Sequence, residues 1–162
     1  MLTIIEADLS AQKHADALIT LLDHYANDPM GGASPLSEHV KTNLIAELIK
    51  RPTAHVVLAF DGEIPAGLII SFEGFSTFAC QPLLNLHDVV VHSNYRGQGL
   101  FRKMLQVLES IAERLGCCKL TMEILEGNHT ALVAYKANGF AGYELDPEMG
   151  KAIFWQKKLK SA

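Results

Sequence analysis

Between Leu83 and Leu115 the chain passes from a strand through a glycine turn into an amphipathic helix, and this passage constrains the fold more than any other. Val89-Val90-Val91 is a continuous apolar run, the pattern of a strand buried on both faces. His92-Ser93-Asn94-Tyr95-Arg96-Gly97-Gln98-Gly99 interrupts it with two glycines. Phe101, Met104, Leu105, Leu108, Ile111, Ala112 and Leu115 then recur at three- and four-residue spacing, and Gly116 ends the helix. A strand feeding a helix in this way is the building unit of a layered α/β or α+β domain.

The turn also has a chemistry. The first amides of a helix have no internal partner, and the dipole makes that end positive. Glycines there let an anion approach the backbone, which makes a phosphate cradle. No acidic residue stands between Asp88 and Glu109, whereas Arg96, Arg102 and Lys103 do. The segment carries +3 in a chain of formal net charge −4, so the remainder carries −7. A basic island in an acidic chain suits an anionic ligand of limited size. Neither of two familiar phosphate loops fits. No Gly-Lys-Ser/Thr triplet occurs, and the third glycine of a dinucleotide fingerprint is replaced by Arg102.

Around this passage the periodicities predict a single domain over residues 1–162. Leu2–Ala7 reads as a strand. Ser10 reads as the cap of a helix burying Ala15, Leu18, Ile19 and Leu22. Asn27–Pro35 is a Gly- and Pro-containing loop. Ser37 caps a second helix with Val40, Leu44, Ile45, Leu48 and Ile49 on one face, closed by Pro52. Ala54–Phe60 and Pro65–Phe72 form a hairpin about Asp61-Gly62. Lys119–Leu125 is a strand, Thr130–Asn138 a helix stopped by Gly139, and Ala152–Leu159 a last strand. The expected order is β-α-α-β-β-β-α-β-α-β-β.

Composition enters as exclusions. The mild acidity argues against a nucleic-acid partner, which needs a basic face. No apolar run reaches the roughly 18 residues of a membrane-spanning helix, and no signal-peptide pattern opens the chain. Cys80, Cys117 and Cys118 are odd in number, with two adjacent, which suits reduced cytoplasmic thiols better than a disulfide frame or a zinc site. No metal is expected.

At Arg96-Gly97-Gln98-Gly99-Leu100-Phe101 the sequence resembles the GNAT superfamily of N-acetyltransferases. Their pyrophosphate motif is Arg/Gln-x-x-Gly-x-Gly/Ala after a strand ending in Val. Only Phe101 departs from it, and a Phe keeps its N–H while its ring fits the apolar face of the helix. A second family motif matches at Asn128, Ala131, Tyr135 and Gly139-Phe140. Phe75-Ser76-Thr77-Phe78 through Pro82 and on to Asp88 is similar to the polyamine and thialysine branch, which often has an acidic residue where this chain has His87.

The resemblance implies a mixed central sheet with the acyl-CoA N-acyltransferase fold. It also implies acetyl-CoA as co-substrate and direct attack by a small primary amine through a tetrahedral intermediate. The implied cofactor-binding residues are Val89, Val90, Val91, Arg96, Gly97, Gln98, Gly99, Leu100, Phe101, Arg102, Asn128 and Tyr135. A backbone N–H in Val89–Val91 would hold the oxyanion. Tyr135 occupies the family's position for the acid that protonates the leaving thiolate. The resemblance also allows a homodimer.

An alkylamine is mostly protonated at neutral pH, so a group must accept its proton. His87, Asp88 and Glu123 are the candidates. As a residue type, the imidazole of His87 suits proton acceptance. On a regular strand His87 and Asp88 point to opposite faces, so only one would face the substrate. Asp88 alternatively orients the amine. Asp23, Asp28, Glu38 and Glu73 would make the acceptor mouth negative. His92, His129 and the cysteines show no metal spacing, Trp155 reads as packing, and Lys157, Lys158 and Lys160 read as a solvated edge. The competing readings are a peptide or protein amine as acceptor, a non-catalytic acyl-CoA sensor, and a nucleotide-binding protein.

Overall fold

The computed structural model describes residues 1–159. Its elements are β1 (Leu2–Glu6), α1 (Gln12–Ala26), α2 (Glu38–Ile49), β2 (Ala54–Asp61), β3 (Ile64–Ser76), β4 (Gln81–Val91), α3 (Leu100–Arg114), β5 (Leu120–Met122) and α4 (His129–Ala137). Single 3-10 turns lie at Pro29–Gly31, Ser93–Tyr95 and Pro147–Met149. The chain gathers into two compact units, Met1–Met122 and the residues from Glu123 onward.

The first unit is a five-stranded mixed sheet in the order β1-β2-β3-β4-β5, with helices packed on both faces. β1 to β4 pair antiparallel and β5 joins β4 in parallel. On one face Leu18, Leu21 and Leu48 of α1 and α2 pack on Val56, Leu58, Phe60, Leu68, Ile70 and Val90. On the other face α3 buries Leu100, Met104 and Leu108 completely or nearly so. Each such side chain contributes about 1.5–3 kcal/mol by leaving water. Gly67 sets how closely α3 lies on the sheet, since a Cβ there would stand 2.8 Å from the Met104 sulfur.

Ser37 caps α2 as expected, accepting the Val40 N–H at 3.3 Å. Ser10 does not cap α1. Asp8 captures both its N–H and its hydroxyl, at 2.9 and 2.6 Å, and α1 begins after Ala11 with no side-chain cap. The strand expected over Lys119–Leu125 shortens to Leu120–Met122. Its neighbour is β4, and their register ends at Leu86↔Met122. There β4 changes course: Ile70 faces Asp88 and Ser71 faces Leu86, leaving His87 as the extra residue of a β-bulge.

In the second unit Asn128 caps α4 by accepting the Ala131 N–H at 3.2 Å. Gly139 follows the helix at φ +88°, a left-handed conformation that favours glycine. The strand expected over Ala152–Leu159 is not formed, nor is a second strand before it. Strand propensity needs a partner ladder, and among the described residues Ala152–Leu159 show one backbone bond of this kind, Ala152 N–H to the Tyr143 carbonyl at 2.8 Å. Ile153, Phe154 and Trp155 are accordingly exposed, so Trp155 is not a packing residue. Lys157 and Lys158 are exposed, while Lys160 lies outside the described residues.

Candidate active site

β4 delivers the chain to the basic turn. Val90 is buried, Val89 and Val91 are half-buried, and the chain leaves the sheet at His92. Gly97 and Gly99 take φ +74° and +72°, and a Cβ at either would meet nothing within 4 Å. Conformation, not crowding, therefore calls for glycine at both positions. Gly99 stands at the N-cap of α3, and no side chain caps that end. Leu100 and Phe101 are buried on the helix's apolar face, which leaves their side chains out of the turn's surface. Arg102 and Lys103 are exposed in the first turn, and Gln98 donates to the Asn94 carbonyl at 3.0 Å. An uncapped, glycine-led helix end flanked by three cations fits a pyrophosphate.

Arg96 is anchored on both sides. Its Nε donates to the Val91 carbonyl at 3.2 Å, and its Nη2 donates to Asp28 Oδ2 at 3.1 Å. Asp28 also accepts the Met30 N–H at 3.0 Å, and its own carbonyl accepts from Gly31 and Ala33. These bonds fold residues 28–33 onto themselves, and the Met30 N–H, then the Arg96 guanidinium, hold the Asp28 carboxyl below the usual range. Beside this pair, the rings of His24 and His92 stack at 4.2 Å. Burial, then the charges of His92 and Arg96, push His24 downward and favour its neutral form. The end of α1 is thus docked on the glycine turn by one ion pair and one ring stack.

The bulge in β4 overturns the expectation that His87 and Asp88 face opposite ways. Before it, Leu84 and Leu86 pair with Glu73 and Ser71; after it, Asp88 and Val90 pair with Ile70 and Leu68. Ile70, Leu68 and Val90 belong to the face covered by α1 and α2, so Asp88 shares that face. The His87 ring meets Phe72, of the same face, edge-on at 5.4 Å. Two adjacent residues therefore lie on one side, because the extra residue breaks the period of two. Burial pushes the Asp88 carboxyl up, with His87 pulling partly back. The Tyr25 phenol is raised by burial and by the Asp88 and Asp28 carboxylates, and it donates to the Met30 carbonyl at 3.2 Å. Past Leu86, among the described residues, β4 pairs with no strand on its β5 side.

The second unit holds the remaining candidates. Asn128 uses its side-chain oxygen as the α4 cap. The Tyr135 ring lies edge-on to Phe140, with centroids 6.0 Å apart. Glu123 opens this unit directly after β5 and is exposed.

The expected negative mouth is largely occupied by internal partners. Asp23 accepts the Leu36 N–H at 2.8 Å and lies 3.4 Å from Lys41. Glu73 holds His55 at 2.7 Å, and His55 also approaches Glu6, which pairs with Arg114. Glu38 lies in the first turn of α2, where its charge favours the helix dipole. His92 spends Nδ1 on the Asn94 N–H at 3.3 Å. The three cysteines are unbridged, and among the described residues no metal-binding cluster occurs.

His24 and Tyr25 escaped the sequence reading. Neither stands in a motif, and only the fold brings the end of α1 to β4. The adjacency of His24-Tyr25 to the Gly/Pro loop was the single available signal.

The acetyltransferase (GNAT) family model matches residues 18–140. The chain is 27% identical over 122 residues to a thialysine N-epsilon-acetyltransferase of Caenorhabditis elegans, covering 75% of this chain and 74% of that protein. It is 29% identical over 154 residues to a glucosamine 6-phosphate N-acetyltransferase of Trypanosoma brucei brucei, covering 89% and 95%. Among solved structures, an aminoglycoside acetyltransferase from an uncultured soil metagenomic sample superposes with a TM-score of 0.75 at 20% identity, over 98% of this chain and 97% of that one.

Proposed function

The chain belongs to the GNAT family of acetyltransferases, and from that premise we propose that it moves acetyl from acetyl-CoA to the primary amine of a small molecule. The observation that carries this reading is the pairing of two features in one unit. A glycine-led, uncapped helix end with three cations suits an anionic cofactor. A half-buried carboxylate and an imidazole share the face beside it. Relatives named for thialysine and glucosamine 6-phosphate support a small amine as acceptor.

In this reading the turn Arg96–Gly99 and the first turn of α3 bind the pyrophosphate, and the Val89–Val91 edge holds the acyl carbonyl. His87 and Asp88 together handle the ammonium. Asp88 attracts the cation, and its raised pKa makes it a stronger proton acceptor than an ordinary carboxylate. His87, close enough to influence that charge, passes the proton on. The neutral amine attacks the thioester, a Val89–Val91 N–H stabilises the oxyanion, and Tyr135 donates a proton to the departing thiolate. Asn128 orients the Tyr135 helix from its cap. Residues 1–162 act as one catalytic domain. The reading carries a cytoplasmic location, where unbridged thiols stay reduced, and allows a homodimer.

The test is thiol release from acetyl-CoA with a panel of amines that includes thialysine, glucosamine 6-phosphate, linear polyamines and a lysine-containing peptide. Amine-dependent release with a small acceptor supports the reading. CoA binding without turnover of any amine would favour an acyl-CoA sensor instead.

A further inference from the structure

The contact between Asp28 and Arg96 joins two parts of the first unit that are 68 positions apart in sequence. Arg96 belongs to the cofactor turn. Asp28 organises the loop that follows α1 and donates its N–H to the Tyr25 carbonyl at 2.9 Å, and its carboxylate and that of Asp88 both act on the Tyr25 phenol. One guanidinium thus answers a carboxylate on the acceptor side while standing in a turn shaped for phosphate. Arg96 is half exposed, and its bonds to Val91 and Asp28 use Nε and Nη2 of a group with five N–H donors.

We propose that Asp28 is a positioning residue that holds Arg96 in the free enzyme and gives it up to the cofactor, so that cofactor binding uncovers a second carboxylate beside Tyr25 and Asp88. The proposal rests on the acetyl-CoA reading above.

The physical argument is one of competition. A pyrophosphate carries more charge than a single carboxylate and offers oxygens in a geometry that a guanidinium matches with two parallel bonds. The Asp28–Arg96 pair is partly solvated and exchangeable. The Arg96 Nε bond to the Val91 carbonyl keeps the side chain rooted while its outer nitrogens change partner. Asp28 stays fixed by the Met30 N–H, so it loses its counter-charge without losing its place. A carboxylate uncovered in this way attracts an ammonium only after the cofactor has arrived, which orders the two substrates. By linkage, whatever cofactor binding costs the Asp28–Arg96 pair, the pair costs cofactor binding.

Calorimetric titration with CoA tests this in the whole protein. Asp28→Asn removes the competitor, and CoA should bind about two- to fivefold tighter. Asp28→Glu keeps the charge and should bind CoA like the wild type. In an Arg96→Gln background, where CoA binds more weakly, Asp28→Asn should have no further effect. A loop merely disordered by the substitution would weaken CoA binding, and unchanged or weaker binding in Asp28→Asn overturns the inference. The carboxyl carbon resonance of Asp28 gives a second readout. Its titration should move upward when CoA saturates the protein, and this rise should shrink in Arg96→Gln. A titration that CoA leaves in place also overturns the inference. If the wild type binds no CoA, the acetyl-CoA reading fails and takes this inference with it. Wild-type binding with no Asp28 effect removes the inference alone.

Discussion

Asp88 is kept where it is costly. Burial raises its pKa, so in the folded state the charged form is disfavoured relative to the unfolded chain. Its contribution to stability is therefore full below the ordinary carboxylate range and is lost as pH rises through the raised folded value. Asp88→Asn should raise the thermal midpoint at pH 7 by about 2–4 °C, with the gain vanishing at acid pH, while acetyl transfer falls. Denaturation scans at both pH values check this, and a lower midpoint at pH 7 would contradict it. Tyr135 answers to a different measurement. Tyr135→Phe should cut turnover roughly tenfold or more while leaving CoA binding largely intact, because it removes the proposed proton donor to the thiolate. Steady-state kinetics beside calorimetry would show it, and an unaltered rate would remove Tyr135 as the acid. At this scale the sequence spoke through motif spacing. Arg96, Gly99 and Tyr135 became candidates because each stands at a fixed distance from a glycine or an asparagine. The shared face of His87 and Asp88 was not, since nothing in Leu86-His87-Asp88 marks a bulge.

Elements explain which expectations held. α3 was plain because its apolar residues repeat on one face and each of them is indeed buried or nearly so. The Ser10 cap failed because Asp8, two residues earlier, offered a competing acceptor. The last strand failed because its propensity had no ladder to join. The glycine turn gives a sharp expectation. Gly99→Ala meets open space but must hold φ near +72°, so it should cost about 1–2 kcal/mol of stability and weaken CoA binding without precipitating the protein. Chemical denaturation and calorimetry measure the two effects. The docking of α1 on this turn should depend on pH. His24 is depressed by burial, His92 and Arg96, with Asp28 opposing, so the stability it contributes is present above its ordinary value of 6.5 and is lost as pH falls through the lowered folded value. His24→Phe keeps the ring stack without the charge and should flatten the acid side of the stability profile. An identical profile in the variant would show that the stack does not titrate.

At the scale of the whole molecule, the net charge of −4 conceals a division. The basic segment lies at the open end of β4, and much of the acidic remainder is spent on internal partners such as Lys41, His55 and Arg114. In the proposed reading, the acidic groups that serve an amine narrow to Asp88 and, under the further inference, Asp28. This selection was invisible in the charge count because pairing is decided by contacts distant in sequence. The order of elements through α4 was visible, since hydrophobic period and glycine punctuation determine it locally. Ligand-linked stability should follow the same division. CoA at about a hundred times its Kd should stabilise the fold by about 2.7 kcal/mol, and ATP or NAD should not. Equal stabilisation by ATP would point to a general nucleotide site.

Thiol release from acetyl-CoA, followed with and without a panel of amines and with the product's mass determined, tests the central claim most directly. Release should depend on a small primary amine, yield the N-acetylated amine, and fall in Tyr135→Phe while CoA binding persists. Tight CoA binding with no acetylated product from any amine would contradict it.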